Sequence, residues 1–191
     1  MKKAILISVF AILFTLISSA QDYRMSDITI SSGRGALSSG IFISTNITND
    51  QNRLTFEVEK DFAQAIFGTQ MKNVFVAGSA GFFQNTPWIG PFLVFQPGIF
   101  TIISWNGVAA GQANNPDWKL KFIFAFHSIR MDLGPVYFSY ARISFQKDRV
   151  NNLPGMGFII PVGSKITCSV GGEYTLRDKN PLFGASLNYK L

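Results

Sequence analysis

Charge is scarce in this sequence. Asp, Glu, Lys and Arg together make up 15% of it, against roughly 25% in soluble globular domains. That scarcity argues against an ordinary water-facing enzyme, and the 47% hydrophobic content excludes a disordered chain. Cysteine occurs once, at Cys168, so no intramolecular disulfide can form. With no partner pattern for nucleophilic chemistry, Cys168 reads as a small apolar strand residue. The single histidine, His127, is remote from it in sequence. No Gly-rich phosphate loop, metal-ligand spacing or Ser/His/Asp constellation appears, so neither a cofactor nor a metal is expected. Helical spacing of apolar residues is also missing over any useful length beyond the first twenty residues.

What is present begins with an N-terminal leader. Lys2 and Lys3 precede an apolar run from Ala4 to Ile17, broken only by Ser8 and Thr15, and then Ser18-Ser19-Ala20. A basic start, a short apolar core and a small-residue exit are the marks of a secretory signal peptide. The run is shorter than the roughly 20 residues of a spanning helix, and no Cys follows it for lipid attachment. Residues 1–20 are therefore expected to be removed, leaving 21–191 as one domain, with 21–38 a candidate N-terminal extension. Their loss takes away two lysines and no acid, so the formal charge falls from +6 to +4, with 15 basic residues against 11 acidic. So mild a balance excludes a nucleic-acid-binding surface.

Alternation of period two dominates the rest. Ile166, Cys168, Val170, Tyr174 and Leu176 share one parity, opposite Lys165, Thr167, Ser169, Gly171, Glu173 and Thr175. Leu120, Phe122, Phe124 and Phe126 oppose Lys119, Lys121, Ile123 and Ala125, while Leu54, Phe56 and Val58 oppose Thr55, Glu57 and Glu59. Side chains alternate across a strand, so each segment has a greasy face and a more polar one. Turn signals at Pro97-Gly98, Asp132–Pro135 and Gly163-Ser164 separate the runs. The pattern predicts ten strands, at 40–48, 53–62, 72–83, 88–96, 98–106, 117–131, 134–147, 155–162, 165–176 and 182–191. Residues 63–71 and 27–33 stay ambiguous, and eight strands result if 88–106 is one kinked strand. Counting back from Leu191, long and tight joints alternate, the asymmetry of transmembrane β-barrels with short periplasmic turns and longer outer loops. The expected fold is all-β, an antiparallel up-and-down barrel of about 8–10 strands.

Alternation alone leaves the environment open, because soluble barrels also have two unlike faces. Small polar-face residues suit a narrow lumen. Aromatics near strand ends, Trp88, Trp105, Trp118, Tyr137, Tyr174 and Tyr189, suit an interfacial girdle. The terminal run Phe183-x-Ala185-x-Leu187-x-Tyr189-x-Leu191 resembles the last strand of Gram-negative outer-membrane β-barrel proteins. There it is the signal read by the barrel assembly machinery, which the resemblance implies as a partner alongside outer-membrane lipid. The departure is Leu191, where Phe or Trp is commoner. The stretch Ser18-Ser19-Ala20-Gln21-Asp22 resembles the start of secreted Bacteroidota proteins.

Candidate site residues are few. His127-Ser128 invites comparison with small outer-membrane lipid A deacylases, which use a His and a Ser spaced to share a face. Here the two are adjacent and point oppositely. By parity with Lys119 and Lys121, His127 is expected in the lumen. Glu57, Glu59, Lys119, Lys121, Lys165 and Glu173 have polar-face parity, and Arg142 is grouped with them. Opposite charges there would pair across a narrow interior and plug it. The leading expectation is a non-catalytic outer-membrane barrel with a structural or interaction role. The alternatives are a lipid-modifying enzyme, a small-solute pore, and a soluble periplasmic lipocalin-like carrier with the greasy face turned inward.

Overall fold

A computed structural model of the chain describes residues 24–32, 41–49, 51–59, 62–83, 86–109, 121–145 and 149–191. The proposed leader, Trp118 and Lys119 lie outside them. Twelve strands are present: β1 (Arg24–Ser32), β2 (Ile41–Thr48), β3 (Asn52–Glu59), β4 (Phe62–Met71), β5 (Val74–Phe83) and β6 (Thr86–Phe95). They are followed by β7 (Phe100–Ala109), β8 (Lys121–Leu133), β9 (Val136–Phe145), β10 (Arg149–Val162), β11 (Ile166–Thr175) and β12 (Asn180–Lys190). Each is antiparallel to its sequence neighbour, and β1 pairs with β12 from Asp27↔Lys190 to Ser32↔Ala185, closing the barrel. Closure leaves no edge strand exposed.

The count is twelve rather than ten because both ambiguous segments are strands. β4 places Phe62, Gln64, Ile66 and Gly68 on its buried face and Ala63, Ala65, Phe67 and Thr69 on the other. Both faces mix polar and apolar residues, so the alternation is geometrically present but invisible in polarity. β1 occupies the span read as an N-terminal extension, with Asp27, Thr29 and Ser31 opposite Lys190, Asn188 and Ser186 of β12 and opposite Asn46, Ser44 and Phe42 of β2. Residues 88–106 form two strands, β6 and β7, and β10 starts at Arg149, well inside a stretch whose asparagines and Pro154 resemble a joint.

The two ends of the barrel differ. One end carries tight turns at residues 49–51, 72–73, 96–99, 134–135 and 163–165, together with Arg24 and Lys190. Gly98, Gly134 and Gly163 adopt positive φ (61°, 66° and 76°) in three of these turns, a conformation that costs glycine little. At the other end stand the strand termini Ser32 and Ile41, Glu59 and Phe62, Phe83 and Thr86, Ala109 and Lys121, Phe145 and Arg149, and Thr175 and Asn180. The two longest sequence intervals between consecutive strands, of eight and eleven residues, fall between termini on this side.

Register separates an inner from an outer face. Outward on successive strands stand Ile30, Ile43, Val58, Phe67, Val76, Ile89, Leu93, Ile102, Ile129, Phe138, Phe158, Val170 and Leu187, all exposed. Leu54 is the exception, buried although its register partner Phe67 is exposed. Cys168 belongs to the same outer face, between Ile160 and Leu187. Inward, the wall has two characters. From β4 to β10 it is largely apolar, with Phe62, Ile66, Phe75, Trp88, Trp105, Phe124, Ile143 and Leu153 buried. From β11 through β12 and β1 to β3 it presents small and polar side chains, such as Ser169, Ser186, Asn188, Thr29, Ser44, Asn46 and Thr55. An eight-stranded barrel is just filled by its own side chains, and diameter grows with strand number.

The Leu120–Phe126 run is the clearest reversal. Phe124 is buried and Phe126 partly buried against the inner cluster, so that parity faces in, and Ala125, His127 and Ile129 face out. A β-bulge where Gly107 and Val108 meet Phe124 and Phe122 accompanies the change. Gly107 matters here: a Cβ on it would collide with the Phe124 ring. Trp88 and Trp105 likewise face inward (2% and 7% exposed), as does Tyr137 (1%), so these three do not belong to an outer girdle. Tyr174 and Tyr189 do face outward.

Candidate functional site

Three groupings of polar or aromatic residues stand out. The first is a seam across β12, β1, β2, β3 and β4 on the inner wall. Asn46 Nδ2 donates to Asp27 Oδ1 at 2.7 Å, and Asn188 Nδ2 lies 3.3 Å from the same oxygen and 2.7 Å from Thr29 Oγ1. Ser26 Oγ donates to Asp27 Oδ2 at 2.9 Å, and Thr55 Oγ1 donates to Asn46 Oδ1. One strand along, Gln64 Nε2 donates to Glu57 Oε2. Buried polar groups are tolerated when partnered in this way.

The second grouping is aromatic and lies inside the end away from the tight turns. Trp105 is its hub, with ring centroids 4.5 Å from Phe124, 5.5 Å from Trp88 and 5.9 Å from Phe62, all edge-on. Edge-to-face pairs at these separations match ring quadrupoles. The Trp105 indole N–H donates to Ser79 Oγ at 3.2 Å, and Ser79 passes its own hydrogen to the Gly90 carbonyl at 2.8 Å. Nearer the tight turns, Arg53 stacks on Phe75 at 4.0 Å and Arg130 on Tyr137 at 4.6 Å. Arg130 also binds Asp132 at 2.6 Å.

The third grouping is on the outer face. Ser104 of β7, His127 of β8, Arg142 of β9 and Asn152 of β10 stand directly opposite one another in successive strands. Ser104 Oγ and His127 Nδ1 are 3.1 Å apart, Asn106 Nδ2 is 3.5 Å from Ser104 Oγ, and the Tyr140 hydroxyl donates to Asn152 Oδ1 at 2.9 Å.

The residues expected to form one lumen cluster are dispersed. Glu57 is on the inner wall, and Glu59 shares its parity and is partly buried. Glu173 is also inward, with its Cγ close over Gly155, but β11 lies four strands from β3 in the barrel order. Lys121 opens β8 opposite Ala109. Lys165 falls in a turn rather than a strand, its ammonium 5.9 Å from the Tyr189 ring centroid. His127 and Arg142 point outward, because the inner positions of β8 and β9 are taken by Phe124, Phe126, Ala141 and Ile143. The described inner wall thus combines aromatic rings with hydrogen bonds from amides and hydroxyls to the Asp27 and Glu57 carboxylates. Phe183, Leu187 and Tyr189 line the outer face of β12, and the Leu191 N–H donates to the Ser26 carbonyl at 3.0 Å. Among the described residues no group of three or more His, Cys, Asp or Glu is placed to hold a metal ion.

Asp27, Arg53, Gln64 and Ser104 escape sequence reasoning. Asp27 sits in a segment too short and mixed to read as a strand, and the partnership of Ser104 with His127 depends on a register that spacing does not reveal.

No family model matches the chain, and no curated protein matches it. Among solved structures it is similar to a conserved protein of unknown function with a hot dog fold from Alicyclobacillus acidocaldarius. That match has 9% identity and a TM-score of 0.23 over 88% of this chain and 79% of that one, values too low to carry an argument.

Proposed function

We propose that the chain is an integral outer-membrane β-barrel, exported with residues 1–20 as a cleaved leader, whose role is structural or interaction-type rather than catalytic. One observation carries this reading: the outer face of the closed barrel is apolar around its circumference. Ile41, Ile89 and Phe183 are exposed to 64%, 61% and 74%, and they stand among a large set of exposed aliphatic and aromatic side chains on all sides. Soluble monomers rarely present more than a few hundred Å² of contiguous apolar surface, whereas a lipid-facing band is what a membrane barrel requires. A soluble carrier of lipocalin type would need the opposite, a polar exterior around an apolar cavity.

Other features support the same reading. The tight turns and both ends of the described barrel share one side, and the longest joints lie on the other, as in barrels with periplasmic turns and outer loops. Tyr189 with Lys165 above it suits an interfacial position at the tight-turn end. Inside, the Trp105 cluster and the Asp27–Asn46–Asn188 seam line the wall with packed rings and hydrogen-bonded side chains, which favours a plugged barrel over a pore.

A lipid-modifying role has one observation in its favour, the Ser104–His127 contact on the face that would meet lipid. Against it, the residue opposite His127 on the next strand is Arg142 and not a carboxylate, so nothing there would stabilise an imidazolium.

Membrane fractionation with electrophoresis before and after boiling tests the main reading. A heat-modifiable band in the outer-membrane fraction is expected; a soluble periplasmic product sinks it. Mass spectrometry of lipid A from cells with and without the gene addresses the enzyme, and identical spectra are expected.

A further inference from the structure

We propose that the outer-face row Ser104–His127–Arg142–Asn152 holds the phosphate of an anionic lipid headgroup in the leaflet at the loop end of the barrel. The inference rests on the membrane-spanning reading. Its starting point is a cation in an unexpected place. Arg142 is exposed on a wall otherwise lined by Ile102, Ile129, Phe138 and Phe158. A guanidinium facing hydrocarbon is costly at mid-depth and tolerated near the headgroups. Arg142 lies towards the end of β9 and Asn152 towards the start of β10, both on the side away from the tight turns.

The hydrogen bonds around Arg142 leave donors, and among the described residues no acid is paired with it. Ser104 Oγ lies 3.5 Å from Asn106 Nδ2 and 3.1 Å from His127 Nδ1. With Nδ1 engaged by Ser104, Nε2 is the ring nitrogen left to meet a headgroup oxygen. On the far side, the Tyr140 hydroxyl occupies Asn152 Oδ1, leaving the Nδ2 hydrogens to point elsewhere. Three donor groups on adjacent strands, about 5 Å apart, thus flank one another with the guanidinium between. Asp27, Glu57, Asp132 and Glu173 all belong to the inner wall, and Asp178, in the turn after β11, accepts from Asn151. Among the described residues no ion pair neutralises Arg142. A planar guanidinium takes two phosphate oxygens at once, and the His127 and Asn152 donors can reach the remaining oxygens. A zwitterionic headgroup would bring its own cation beside the Arg142 guanidinium, which like charge disfavours.

The test uses the full chain, folded in detergent and analysed by native mass spectrometry after exposure to mixed micelles. The probes are dioleoyl phosphatidic acid, dioleoyl phosphatidylcholine and dioleoylglycerol, compared at equal concentration, with inorganic phosphate as competitor. Phosphatidic acid should be retained preferentially, and Arg142→Gln should weaken its retention about tenfold or more, the loss expected for a charge-assisted bidentate contact. Arg142→Lys should restore part of it. Lys165→Gln, which removes an outer-face cation at the opposite end, should leave it unchanged. Equal retention by Arg142→Gln, an equal loss in Lys165→Gln, or complete displacement by inorganic phosphate at the lipid's own concentration would each overturn the proposal. The heat-modifiable band reports separately on the barrel. A chain that never forms it refutes the membrane reading, whereas a barrel that forms and ignores phosphatidic acid refutes only the lipid site.

Discussion

Trp105 sits within the ring-lined half of the interior, and its indole serves both an apolar and a polar neighbour. The ring packs edge-on against Phe62, Trp88 and Phe124, while the N–H reaches Ser79, which ties β5 to the Gly90 carbonyl of β6. Trp105→Ala should cost about 3–5 kcal/mol, the range for emptying a large buried aromatic site, read from urea unfolding of the protein in vesicles. Ser79→Ala should cost less, about 1–3 kcal/mol, because it leaves the indole donor and the Gly90 carbonyl to find other partners. Cys168 offers a test needing no mutation. It is the single cysteine, on the outer face between Ile160 and Leu187. In vesicles it should resist a charged, water-soluble maleimide and react with a lipid-soluble one. Equal rates with both reagents would place that face in water.

At the scale of the strand, β12 carries two loads. Its inner side supplies Ser186 and Asn188 to the polar seam, and its outer side presents Phe183, Leu187 and Tyr189. Replacing Phe183 and Leu187 together by Asp should abolish the heat-modifiable band, whereas Ser186→Ala on the inner side should leave it. Finding both variants equally assembled would remove β12 from any role in recognition. The strands also show why some of the fold is legible in the sequence and some is not. β11 and β12 read cleanly because one face is aliphatic or aromatic and the other is Ser, Thr, Gly or Asn. β4 does not, since Phe62 and Ile66 face in while Phe67 faces out, and polarity carries no parity there. β8 reads as a strand but with its sides exchanged, because a wall lined by aromatic rings makes the inner face as greasy as the outer. The same exchange moved His127 and Arg142 from the lumen to the exterior, and only the pairing of β7, β8 and β9 reveals their row.

For the molecule as a whole, the inner aromatic cluster at one end and the hydrogen-bonded seam along one side argue for a filled barrel. Planar bilayers should stay silent with the native protein, and a steady unitary conductance would contradict a packed lumen. A truncation before β12 should fail to give a protease-resistant product, since the pairing of β1 would then be lost on one side. That seam, from Asp27↔Lys190 to Ser32↔Ala185, joins the two strands furthest apart in sequence. Because N-terminal segments emerge first during synthesis and export, β1 waits longest for its second neighbour. Until β12 arrives, its backbone hydrogen-bonding edge and the apolar side chains Ile28 and Ile30 are open to any other strand. The order of synthesis thus turns closure into a timing problem. A chain of this design depends on being held apart from its own copies during transit, and its yield should fall steeply with expression rate well before its finished stability is affected.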